Sequence, residues 1–122
     1  MNISLSKIYI SILLKVIRMI HVILHSSSRN MIHNGIKYDK VFDLPKLGVQ
    51  IFDSNNKRQK AFDWIIKYIK SNINKMILIN IICEHGQHRS VDMVNDIGKY
   101  LQLNDHSQTS YNVEIKHLSL NL

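Results

Sequence analysis

The residues best suited to chemistry lie in one short stretch, Cys83-Glu84-His85-Gly86-Gln87-His88-Arg89-Ser90. An apolar run ends at the cysteine, a polar loop with one glycine follows, and Arg89-Ser90 opens a helical pattern. A compact loop that runs into a helix N-terminus gathers main-chain N–H groups on one spot, and the helix dipole favours negative charge there. Arg89 adds a planar fork that matches two phosphate oxygens. Gly86 permits the tight loop, and the Ser90 hydroxyl completes the cradle. The stretch therefore predicts a phosphate-type loop between a strand and a helix.

The same residues satisfy Cys-x5-Arg-Ser, a spacing shared with cysteine-dependent phosphatases. In that reading Cys83 attacks phosphorus in line. Arg89, the helix N-terminus and a protonated His85 or His88 lower its thiol pKa. Ser90 steadies the thiolate. A general acid must protonate the leaving group; Asp39, Asp43 and Asp53 are candidates, and Asp43 is the one chosen. Ile82 stands where these phosphatases usually carry a histidine. Cys83, His85 and His88 are also zinc-type ligands, but three ligands within one turn rarely reach a common tetrahedral centre. The sequence predicts no metal and no cofactor.

These groups need elements to hold them. Ile20–His25 reads as a first strand and Ser26-Ser27-Ser28-Arg29-Asn30 as a polar loop. Lys40–Leu44 reads as a short strand stopped by Pro45. In Lys57–Ile73 the residues Phe62, Ile65, Ile66, Ile69 and Ile73 recur at helical spacing, with Asp53, Ser54 and Asn55 as N-cap candidates. Met76–Ile82 is almost continuously apolar, which suits a strand covered on both faces. Arg89–Leu101 is a second helix with Val91, Val94, Ile97 and Leu101 inward, and Asn112–Leu120 reads as a final strand. The order β-β-α-β-α-β predicts an α/β domain with a mainly parallel sheet of about four strands, helices packed on it, and ligands beyond the carboxyl ends of the strands.

With 122 residues the chain is sized for one domain, here residues 20–122. Residues 1–19 form an amphipathic segment. Ser4, Lys7, Ser11, Lys15 and Arg18 would line one helix face, and Leu5, Ile8, Ile12, Val16 and Met19 another. Lys15, Arg18 and His21 interrupt its apolar residues, so no membrane span of about 20 residues forms. The single cysteine excludes an internal disulfide and points to a reducing, cytoplasmic compartment. A net charge of +7 suits anionic partners. Lys57, Arg58 and Lys60, at the start of the first helix, are the candidate RNA-contacting residues. Free sheet edges allow copies of the chain to pair as a homo-oligomer.

The longer string Ile81-Ile82-Cys83-Glu84-His85-Gly86-Gln87-His88-Arg89-Ser90-Val91 resembles the Gly-Cys-Thr-Gly-Gly-(Gln/Lys)-His-Arg-Ser-Val signature of the RapZ/YvcJ family, in its C-terminal domain. Asp39-Lys40-Val41-Phe42-Asp43 is similar to that family's Ala-Asp-(Leu/Tyr)-Val-Phe-Asp-Val-Arg segment, and Val113-Glu114-Ile115-Lys116-His117-Leu118 to its Val-x-x-Arg-His-Arg ending. The resemblance spans roughly Ile20 to Leu120. It implies a regulatory binding module that senses glucosamine-6-phosphate and binds a small RNA, with Cys83, Gly86, His88, Arg89 and Ser90 at the phosphate. Glu84-His85 replaces the family's Thr-Gly. Lys46-Leu47-Gly48-Val49-Gln50 stands in place of its Asn-Pro-His-Trp stretch, the basic tail is not matched, and no nucleotide-binding Gly-x-x-x-x-Gly-Lys-(Ser/Thr) occurs.

Overall fold

The computed structural model describes residues 18–31, 35–49, 55–104 and 106–119. Four strands run in the order β2-β3-β1-β4, where β1 is Arg18–Ser28, β2 Lys40–Asp43, β3 Met76–Cys83 and β4 Thr109–His117. Every pairing is parallel. Helix α1, Asn55–Ser71, joins β2 to β3, and helix α2, Arg89–Leu103, joins β3 to β4 across β1. A single 3-10 turn, Arg29–Met31, follows β1. The architecture is the expected α/β fold, with the sheet entirely parallel.

Both crossovers step the same way across the sheet, so right-handed connections place both helices on one face. They meet through Phe62 against Tyr100 and through Arg58 bonded to Asp96. Between helices and sheet lies the core: Ile20, Val22 and Leu24 of β1, Phe42 of β2, Ile77, Ile79 and Ile81 of β3, Ile65 and Ile69 of α1, and Met93, Val94, Ile97 and Leu101 of α2. Each fully buried aliphatic side chain of this kind contributes about 1.5–3 kcal/mol relative to exposure. On the other face Tyr38, from the β1–β2 connection, places its hydroxyl 2.8 Å from His25 Nδ1.

Several sequence expectations need correction. Ser26, Ser27 and Ser28 are not a loop. They extend β1, and Ser26 and Ser27 are fully buried. Burial is tolerated because Ser26 Oγ meets His117 Nδ1 at 2.6 Å, Ser27 Oγ donates to Asn80 Oδ1 at 2.8 Å, and Ser28 N–H donates to Ser119 Oγ at 2.9 Å. Helix α1 starts two residues early and stops at Ser71, where Asn72 turns the chain by accepting the Asn74 N–H. Ile73, expected inside, is 78% exposed. Strand β4 starts at Thr109 and ends at His117, so Leu118 and Ser119 lie beyond it, and Leu120 is outside the described residues. Arg18 and Met19, expected on the N-terminal helix, open β1. The rest of that helix and the cap candidates Asp53 and Ser54 lie outside the described residues, and Asn55 is already the first residue of α1. No helix among the described residues is long and apolar enough to cross a membrane.

Candidate anion-binding site

In a parallel sheet each helix that follows a strand starts at the carboxyl end of the strands. The N-termini of α1 and α2 therefore share that end with the Cys83–Ser90 loop. Strand β3 delivers Cys83 there, and Glu84 to His88 double back before α2 begins at Arg89. The turn is made possible by Gly86, whose φ is +70°. A Cβ on Gly86 would lie 2.4 Å from Ser28 N and 2.6 Å from Ser119 Oγ, so the loop rests directly on the end of β1.

The loop is organised around one sulfur. Cys83 is 2% exposed. Its Sγ accepts the Gly86 N–H at 3.2 Å, and the amides of Ser90 and His88 act on the same atom. Ser90 Oγ lies 3.3 Å away, accepting the thiol proton or donating to a thiolate. His88, at the N-cap of α2, supplies no side-chain cap. The sulfur thus takes on N–H groups that a capping side chain would otherwise satisfy. Burial works against charge on the sulfur and is the largest single influence. The Ser90 hydroxyl and the three amides together outweigh it, holding the thiol below its ordinary value.

Arg89 is half-buried, and its Nη1 donates to the Val49 carbonyl at 3.0 Å. That bond ties the start of α2 to the turn after β2 and leaves the guanidinium charge uncompensated by it. Among the described residues no carboxylate pairs with Arg89. The stem of Lys57 runs beside the same turn, its Cδ 3.3 Å from where a Cβ on Gly48 would stand. The first turn of α1 holds no acidic residue, so its lysines and arginine oppose the helix dipole and concentrate positive potential at this end. Lys57 and Lys60 are exposed, whereas Arg58 is held by Asp96.

The candidate residues divide accordingly. Cys83, Gly86, His88 (through its amide) and Ser90 are brought together, with Arg89 beside them. The side chains of Glu84, His85 and His88 are exposed. Asp43 is not brought to Cys83. It alternates with the core residue Phe42 and pairs in register with Ile82, which places it on the opposite sheet face. There its Oδ1 accepts from Arg29 at 3.0 Å and from Lys46 N–H at 3.4 Å. Asp39 is also engaged, accepting the Leu78 N–H at 2.8 Å. Among the described residues no group of three His, Cys, Asp or Glu could hold a metal ion.

A residue that spacing alone did not select is His117, at the end of β4. It links Ser26 of β1 to Asn95 of α2, the latter at 3.1 Å. In the sequence it was marked by its place in the final strand's alternation and in the Val113–Leu118 resemblance, neither of which gave it a role at the loop.

A family model of the RapZ C-terminal domain matches residues 48–121. The chain belongs to the RapZ C-terminal domain family. The match takes in α1, β3, the Cys83–Ser90 loop, α2 and β4; β1 and β2 precede it. No curated protein matches the chain.

Proposed function

We propose that this RapZ-type domain is a regulatory binding module that takes a phosphorylated small molecule, of the amino-sugar phosphate kind, at the Cys83–Ser90 loop. The observation that carries the reading is the convergence of three amides and the Ser90 hydroxyl on one point at the start of α2. Such preorganised donors at a helix N-terminus favour negative charge, that of an oxyanion included. Arg89 supplies the bidentate fork, Gly86 the turn, and the sulfur of Cys83 the floor. Family membership supports the class of ligand. The phosphate of an RNA is the same chemistry on a larger partner, with the exposed Lys57 and Lys60 extending the positive surface and Arg58 engaged by Asp96.

The experiment is calorimetric titration of the protein with glucosamine-6-phosphate, beside Arg89→Ala. A charged hydrogen-bond pair contributes about 1.5–3 kcal/mol, so the variant should bind at least about tenfold more weakly with an unchanged circular dichroism spectrum. Unchanged affinity would defeat the reading.

The lowered thiol of Cys83 favours a second reading, a cysteine-dependent phosphatase. Against it, Asp43 is engaged by Arg29 on the far face of the sheet, and the sulfur is almost fully shielded. Turnover of an aryl phosphate that disappears in Cys83→Ser would establish the enzyme; the binding module predicts no turnover across about pH 5 to 8.

A further inference from the structure

Among the described strands β4 lies at the edge of the sheet, and its neighbour is β1. Its last residue is anchored unusually well. His117 Nδ1 is 2.6 Å from Ser26 Oγ, and Nε2 is 3.1 Å from Asn95 Oδ1. The carbonyl oxygen of Asn95 can only accept, so Nε2 carries the proton and Nδ1 accepts the Ser26 hydroxyl. One imidazole therefore joins the sheet's edge strand, a central strand and helix α2.

The two residues after His117 continue the tie. Leu118 N–H donates to the Ser26 carbonyl at 2.8 Å, and Ser119 Oγ accepts the Ser28 N–H at 2.9 Å. Ser28 N and Ser119 Oγ are the very atoms within 2.6 Å of a Cβ built on Gly86. They form the surface on which the turn of the loop rests. From that position the Gly86 N–H reaches the Cys83 sulfur at 3.2 Å.

We propose that His117 is a positioning residue for the anion cup: by fixing the end of β4 on Ser26 and Asn95 it sets the Ser28–Ser119 shelf, and through it the placement of the Gly86 amide. This rests on the reading of the Cys83–Ser90 loop as the anion site. A residue that only stabilised the fold would change the unfolding midpoint and leave the folded cup alone. A positioning residue also changes how the cup treats charge, both that of a ligand and that of its own thiolate.

The test uses the full chain with His117→Ala, His117→Gln and Asn95→Ala, at a temperature where circular dichroism shows each variant folded. Two quantities are read. One is the affinity for glucosamine-6-phosphate, with inorganic phosphate as a second probe. The other is the titration of the Cys83 thiolate by its ultraviolet absorbance, which needs no ligand. Loss of one well-placed donor is worth about tenfold, so His117→Ala should bind about tenfold more weakly and its thiol should titrate closer to the ordinary cysteine value. Asn95→Ala should move both in the same direction, by less. His117→Gln, which keeps a donor and an acceptor, should retain most of both.

A folded His117→Ala with wild-type affinity and a wild-type thiol titration overturns the proposal. Should that variant not fold, Asn95→Ala carries both readouts, and wild-type values there overturn it equally. A wild-type protein that binds neither phosphate compound would defeat the reading of the loop, while the thiol titration would still decide the role of His117.

Discussion

Cys83 Sγ and Ser90 Oγ, seven residues apart in sequence, face each other at 3.3 Å with both side chains shut away from solvent. This contact closes the loop on itself and joins the last residue of β3 to the first turn of α2. The Ser90 hydroxyl does the most of any single group to offset burial at the sulfur. Ser90→Ala should therefore raise the thiol titration of Cys83 toward the ordinary value, because burial then meets less opposition. Ultraviolet absorbance of the thiolate across pH measures this. A titration unchanged in the variant would show that the amides alone set the thiol.

Gly86 and Gly98 make a paired prediction. At Gly86 the backbone is left-handed and a Cβ would meet main-chain atoms of β1 at 2.4 Å. Alanine there should cost about 3 kcal/mol or more, from strain and overpacking together. At Gly98, in α2, the obstacle is the far end of the Ile115 side chain at 2.7 Å. That tip can turn aside, and alanine gains helix propensity of about 1 kcal/mol. Gly98→Ala should be close to neutral. Urea unfolding of the two variants checks the contrast, and comparable losses would contradict it.

Stability should fall on mild acidification. Burial lowers the pKa of His25, with Lys116 adding to the effect and Glu114 opposing it, and burial alone lowers that of His117. As pH drops below about 6.5 the unfolded chain takes up protons that the folded chain does not, so stability declines until the folded values are passed. Above that window neither state is protonated and the contribution is complete. The urea midpoint should therefore decrease between about pH 6.5 and pH 5, and less so once His25 and His117 are both replaced by Gln. A midpoint that rises on acidification would contradict the assignment.

If RNA uses the basic start of α1, its affinity must fall steeply with salt, because bound lysines release counterions. Lys57→Ala with Lys60→Ala should flatten the log–log salt slope on a single strand by about 1.4, while Arg58, already engaged by Asp96, should matter less. Fluorescence anisotropy with a labelled single strand gives the slopes. A slope unaffected by the two lysines would move any RNA contact elsewhere.

Much of this architecture could be read from local pattern. The apolar run from Met76 marked a central strand because parallel strands are buried on both faces. Periodicity marked both helices, and a glycine before Arg89-Ser90 marked the loop. What escaped depended on partners distant in sequence. Ser26 and Ser27 look like a polar connection until His117 and Asn80 are found beside them. Ile73 fits the helical stripe, but Asn72 ends the helix first and leaves it outside. Asp43 looked like a general acid until alternation along β2 placed it on the face opposite Cys83 and beside Arg29.

The most direct measurement of the central claim is an amide chemical-shift titration of the isotope-labelled protein with glucosamine-6-phosphate. The N–H groups of Gly86, His88 and Ser90 should show the largest, saturable downfield shifts, as expected when main-chain donors turn to an oxyanion. If the ligand leaves these three unmoved, or shifts residues elsewhere while they stay in place, the loop is not the anion site.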